Sequence, residues 1–315
     1  GSSITLHKLG VPHTPEHLEW ITENLPAGSK VGLDGRLFSV GQIRRMAKLF
    51  YAKKIKLDTS TDLIEKIWTT RPPLPQSLIF EHDVRFAGAS RQEKLGKVRE
   101  KMGQANYHLV STLDDVAWLF NLRGRDVACN PVFYAYAVGG KDAAWLVIQK
   151  GKGPNQLKAG LNQDGVLVMP YDGLKDFLGK MGNGETVLLD LATTNNQNFD
   201  AIPSGSVVEG ENIVAELKAI KNPTEIAHLK KTMARDGAAL VRIFRWLEKT
   251  LAERPVPEAE VAVQLTGFRS KLENYFGDSF DAIVGYNGNG AIVHYRPEYG
   301  TCANIEPHGL LLLDS

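Results

Sequence analysis

Residues 220–248 read IKNPTEIAHLKKTMARDGAALVRIFRWLE, and this stretch divides the chain into two kinds of architecture. Asn222 is a favourable N-cap, Pro223 stands where a helix tolerates proline, and Glu225 follows the cap by three residues, as a capping box requires. Ile226, Leu229, Met233, Leu240, Phe244 and Leu247 recur at helical spacing and predict one long helix with that face turned inward. A second helix is expected from about Pro257, with Val261, Leu265, Phe268 and Leu272 inward. Beyond it, FDAIVGYNGNGAIVHYRPE (280–298) places two apolar runs around a Gly/Asn-rich segment, the pattern of a hairpin. GLLLLDS (309–315) reads as the next strand. Two helices followed by strands predict an α+β unit from residue 220 onward.

Upstream the pattern is different. SKVGLD (29–34) and IKLDT (55–59) read as strands around a helix capped by Ser39, in which Val40, Ile43, Met46, Ala47 and Phe50 share a face. DLIEKIWTT (62–70) suggests a short helix, and RPPLPQS (71–77) then excludes one and marks a boundary or an extended arm. A longer cycle follows. Ser90 can cap a helix with Leu95, Val98 and Met102 inward, and YHLVS, PVFYAYAVG, AAWLVIQK, GVLVM and TVLLD are strands separated by helical stretches. Such alternation predicts an α/β domain reaching residue 219. The expected division is 1–84, 85–219 and 220–315.

Composition narrows the functional classes. Thirty-seven Lys and Arg oppose thirty-six Asp and Glu, a net charge of +1, so no global field gathers nucleic acid or an anionic membrane. The two cysteines, Cys129 and Cys302, form no metal or redox motif. No apolar run approaches a membrane span and no signal-peptide pattern is read, which makes a reducing cytosol the expected compartment. Gly1-Ser2-Ser3, without an initiator methionine, reads as an appended remnant.

Two residues could carry chemistry. His294 lies in an apolar run predicted as a strand, on the side of Ile292; a lone strand histidine is usually structural, but one facing a pocket suits proton handling near neutral pH. Asp314 follows four leucines, and a carboxylate ending a buried strand must be hydrogen-bonded, paired or bound to a metal. It reads equally as a strand-end turn residue, and one carboxylate makes no metal site. GYNGNG lacks the spacing of a phosphate loop and precedes a strand, so a turn is the better reading.

Four blocks together, LDDVAWLFNLRGRDVACNPVFYAYAV (113–138), residues 220–248, NGNGAIVHYRPE (287–298) and LLLLDS (310–315), resemble aminopeptidase P, the X-Pro aminopeptidase, in its three-domain eukaryotic-type form. The resemblance covers nearly the whole chain. It implies creatinase N-terminal-like (ribonuclease H-like) α/β domains followed by the truncated start of a pita-bread catalytic domain, so that the chain enters its first domain partway through. It also implies a cytosolic, dimeric enzyme that removes the first residue from peptides with proline second, using two Mn²⁺ ions. NGNGAIVHY matches the family segment that bears an active-site histidine, so His294 is implied to hydrogen-bond the substrate or the tetrahedral intermediate. LLLLDS matches the family strand ending in the first metal ligand, which implies that role for Asp314. The other ligands would lie beyond Ser315, and this stretch of chain alone is expected to bind no metal and to be inactive. Two alternatives stay open: a pita-bread binding protein without catalytic metals, and a related proline dipeptidase or creatinase-type hydrolase.

Overall fold

The computed structural model describes Ser3, residues 16–182 and residues 184–315. Gly1 and Ser2, read above as part of a remnant, lie outside the described residues. The chain forms two compact units: 1–81, 90–122 and 134–219 make the first, and 82–89, 123–133 and 220–315 the second.

In the first unit, strands Lys30–Gly32 and Lys56–Asp58 pair in parallel, and helix Val40–Ala52 supplies the crossover such a pair needs. Ser39 caps that helix in a full capping box with Gln42. Val40, Ile43, Met46 and Phe50 are buried as expected, whereas Ala47 stays exposed. The stretch DLIEKIWTT is not a helix. It makes a few turns, with Asp62 Oδ1 accepting the N–H groups of Ile64 and Glu65, because helix nucleation is not repaid over so few residues.

Six strands form a mixed sheet in the order Val207–Glu209, Val187–Leu189, Tyr107–Val110, Ala135–Gly140, Ala144–Ile148, Val166–Pro170. Ala135–Gly140 runs antiparallel to both neighbours and the other pairings are parallel. Helices Asn155–Gln163 and Asn196–Asp200 lie within two of the parallel crossovers. The α/β alternation legible up to residue 219 is therefore present, around a core that includes Leu109, Val138, Val147, Leu178 and Val187. Backbone bonds from Val40 N–H to the Thr194 carbonyl and from Asn196 N–H to the Phe38 carbonyl, both 3.0 Å, tie the small sheet region to the large one.

The second unit starts as the sequence predicts. Glu225 N–H donates to Asn222 Oδ1 at 3.0 Å, Asn222 N–H donates to Glu225 Oε2 at 2.8 Å, and helix Pro223–Leu251 follows. Its inward face is met only in part: of the predicted set, Leu247 is buried and Leu240 packs against the core. Ala239, Ile243 and Leu247 are buried, while Ile226, Leu229, Met233 and Phe244 are exposed. At 100° per residue the buried stripe lies roughly 60° round the helix from the apolar face read in the sequence. Apolar spacing shows which faces can be buried; the partners Val256, Val261, Leu265, Val284 and Ile305 decide which one is. Helix Glu258–Arg269 buries Val261 and Leu265, and ends before Leu272.

The expected hairpin does not form. Strand Ile283–Tyr286 pairs antiparallel with Leu311–Asp314, placing Ile283 opposite Asp314 and Tyr286 opposite Leu311. After Tyr286 the chain makes the 3₁₀ turn Asn287–Ala291 and folds back so tightly that a Cβ on Gly285 would lie 2.8 Å from Gly290 Cα. Residues 292–294 are thereby carried away from the strand edge, and the leucine run takes the place assigned to AIVHY.

Candidate active site

His294 is exposed and lies in a turn, with φ +57°, rather than in a strand. The left-handed region is uncommon for any residue other than glycine, although histidine enters it more readily than most. The strand-side assignment of His294 with Ile292 is therefore corrected. Ile292, Val293 and His294 are all exposed, and the side chain that returns to the protein is Tyr295.

Asp314 ends strand Leu311–Asp314, and only one face of that strand is covered. Leu311 and Leu313 pack on the core, while Leu312 and Asp314 alternate onto the exposed face. The expectation of a buried carboxylate needing compensation is thus overturned, because period-two alternation puts one side of a leucine run toward water. Beside it, Arg269 is buried and grips Asp236 as a fork, Nε to Oδ1 at 2.7 Å and Nη2 to Oδ2 at 3.0 Å, while Nη2 also donates to Ser315 Oγ at 3.0 Å. That fork joins helices Pro223–Leu251 and Glu258–Arg269 to the end of Asp314's strand. Among the described residues no group of three or more His, Cys, Asp or Glu is placed to hold a metal ion.

The residue that organises this region is one the sequence did not single out. Glu258 opens helix Glu258–Arg269, a position where an acidic side chain is ordinarily a solvated partner of the helix dipole. Here it is fully buried. Oε1 accepts the Tyr286 N–H at 2.6 Å, Oε2 accepts the Tyr295 O–H at 2.7 Å and the Ala303 N–H at 3.0 Å, and Asn289 Nδ2 donates to both oxygens at 3.1 and 3.2 Å. Asn289 Nδ2 also donates to the Tyr295 hydroxyl at 3.1 Å. The Tyr295 phenol is pushed up to about 12, first by burial and then by the Glu258 carboxylate that takes its proton-bearing oxygen as donor. A separate groove of about 410 Å³, lined by residues including Leu251, Tyr286, His308 and Leu310, contains neither His294 nor Asp314.

A profile of the Creatinase/Prolidase N-terminal domain matches residues 70–225, and one of metallopeptidase family M24 matches residues 227–315. "Probable Xaa-Pro aminopeptidase P" of Sordaria macrospora is 34% identical over 336 residues, covering 98% of this chain and 53% of that protein. Along nearly its whole length the chain is similar to aminopeptidase P proteins, with M24 metallopeptidase sequence in residues 227–315. "Aminopeptidase P2" of Arabidopsis thaliana is 32% identical over 352 residues, covering 100% of this chain and 49% of that one. The crystal structure of X-prolyl aminopeptidase from Caenorhabditis elegans, described as a cytosolic enzyme with a di-nuclear active site, superposes with a TM-score of 0.90 at 26% identity, over 97% of this chain and 51% of that one. The chain thus spans about half the length of the aminopeptidase P relatives it matches. In its fold it combines a creatinase-like α/β part with M24 pita-bread structure.

Proposed function

We propose that this chain carries part of a metal-dependent X-Pro aminopeptidase, which releases the N-terminal residue from peptides with proline at the second position. The likeness to an X-prolyl aminopeptidase along nearly the whole chain is the observation that supports this most. In this reading residues 1–84, 85–219 and 220–315 belong to three domains, and the enzyme is a cytosolic homodimer. Proline offers no N–H and its ring fixes φ, so a site for X-Pro recognises the ring's shape and the scissile carbonyl.

His294 contributes an exposed imidazole at the apex of a turn, able to hydrogen-bond the substrate carbonyl or the oxyanion derived from it. Asp314 is assigned as one of the ligands of a centre holding two Mn²⁺ ions, which when bound would polarise that carbonyl and activate the attacking water. A dinuclear centre needs several donors converging on it. The described residues place no such cluster, so by themselves they do not fit the complete centre.

The test compares Ala-Pro-Ala with Ala-Ala-Ala as substrates for a polypeptide that includes a whole M24 domain. Cleavage is expected only before proline, and His294→Ala is expected to lower kcat by about 10²-fold. Equal cleavage of both peptides would remove the X-Pro assignment, and an unchanged kcat would remove the role of His294.

A further inference from the structure

We propose that Glu258 is a positioning residue for the active site: its buried carboxylate fixes, through Tyr295, the turn that presents His294. The inference rests on the reading of His294 as a substrate-facing group. Within the turn the described backbone bonds run from Ile292 N–H to the Asn289 carbonyl at 3.1 Å and from Tyr295 N–H to the Ile292 carbonyl at 3.2 Å; they shape the turn locally, and the Tyr295 hydroxyl links it to the buried Glu258.

The geometry is specific to a carboxylate. Four groups face the two oxygens of Glu258, the Tyr286 N–H, the Asn289 amide, the Tyr295 O–H and the Ala303 N–H, and every one of them donates. A carboxylate is acceptor-only and satisfies all four. A glutamine has the same shape but one acceptor oxygen, so its NH₂ would confront either the Tyr286 side or the Tyr295 and Ala303 side. The four donors come from the segment 286–303, before, within and after the His294 turn. Residue 294 is flanked by Tyr295, whose hydroxyl is 2.7 Å from Glu258, and by a backbone in the left-handed region that needs support from its surroundings. Glu258 is also tied to the far end of the segment through its own backbone, its N–H donating to the Ala303 carbonyl at 3.1 Å. The helix start, the strand end and both ends of the turn thus meet at one buried side chain, and His294 projects from the loop it closes.

The experiment uses this 315-residue chain as wild type, Glu258→Gln and Tyr295→Phe. Imidazole resonances of His294, assigned by their loss in His294→Gln, report the position of the turn, and hydrogen exchange reports the Ala303 and Tyr286 amides. In Glu258→Gln the His294 resonances are expected to shift and the Ala303 amide to lose about tenfold or more of its protection. In Tyr295→Phe, which removes the hydroxyl's bonds to Glu258 and Asn289 and leaves the Tyr286 and Ala303 bonds to Glu258 in place, the His294 resonances are expected to shift while Tyr286 keeps its protection. If Glu258→Gln does not fold, Tyr295→Phe decides. His294 resonances that coincide with wild type in Tyr295→Phe overturn the proposal, leaving Glu258 as a staple of the fold alone. Because these readings need no turnover, they stand apart from the peptide assay. Loss of X-Pro selectivity there would remove the proposed function without touching the coupling of Glu258 to His294.

Discussion

At the scale of single residues, buried polar groups matter most. His108, on strand Tyr107–Val110, is fully buried with Nδ1 3.1 Å from the Leu188 carbonyl oxygen, which fits a neutral ring donating from Nδ1. Burial, the largest influence, holds its pKa below the ordinary histidine value, against the opposing pull of that carbonyl. The unfolded chain then binds a proton more readily than the folded one, so this contribution to stability is present above about pH 6.5 and is lost as pH falls below it. In His108→Gln the urea midpoint is expected to change less between about pH 7.5 and 5.5 than in wild type. Identical slopes would acquit His108. Glu258 shows the limit of reading at this scale. In PVPEAEVAV nothing separates it from Glu260, yet Glu258 is buried under four donors and Glu260 meets Arg254 at 2.6 Å near the surface. Only the return of residues 286–303 across the helix start makes the difference.

Among the elements, the long helix is the clearest case of local sequence acting locally. Its start is written in Asn222, Pro223 and Glu225, and each bond of the capping box is present. Asn222 also donates to the Ala87 carbonyl at 2.8 Å, so Asn222→Ala is expected to cost about 1–2 kcal/mol in urea unfolding, the upper part of the usual range for a cap. Gly88 lies against the same cap with φ +69°, and a Cβ there would sit 2.6 Å from Thr224 Cβ. Gly88→Ala is therefore expected to destabilise by about 1–3 kcal/mol, read as a fall in the unfolding midpoint; a neutral result would contradict the close approach. The helix's inward face was less legible, because Ala239 and Ile243 become core only where Val261, Leu265 and Val284 arrive. The hairpin failed for a related reason. AIVHY and LLLLD are both plausible partners for FDAIV, and the fold-back at Gly285 and Gly290 takes the first out of reach.

For the molecule as a whole, the two units have separate cores, and the second holds both His294 and Asp314 without a cluster of metal donors among the described residues. Ligands raise stability only by binding the folded state. Mn²⁺ or EDTA is therefore expected to leave the melting temperature of this chain within about one degree, and a stoichiometric rise of several degrees would show that a complete site exists here. No helix among the described residues is long and apolar enough to cross a membrane, in keeping with the absence of a long apolar run in the sequence. The sequence by itself determined the α/β alternation up to residue 219 and the cap of the long helix, since each rests on spacings within a few turns of chain, and the family likeness, which rests on the order of four sequence blocks rather than on any contact. Tertiary structure alone decided the rest. Which strand pairs with Ile283–Tyr286, which side of the leucine run faces water, and why an acid at a helix start is buried all depend on segments tens of residues apart competing for one surface. Local pattern cannot rank those competitors, because burial is a property of what arrives on the other side.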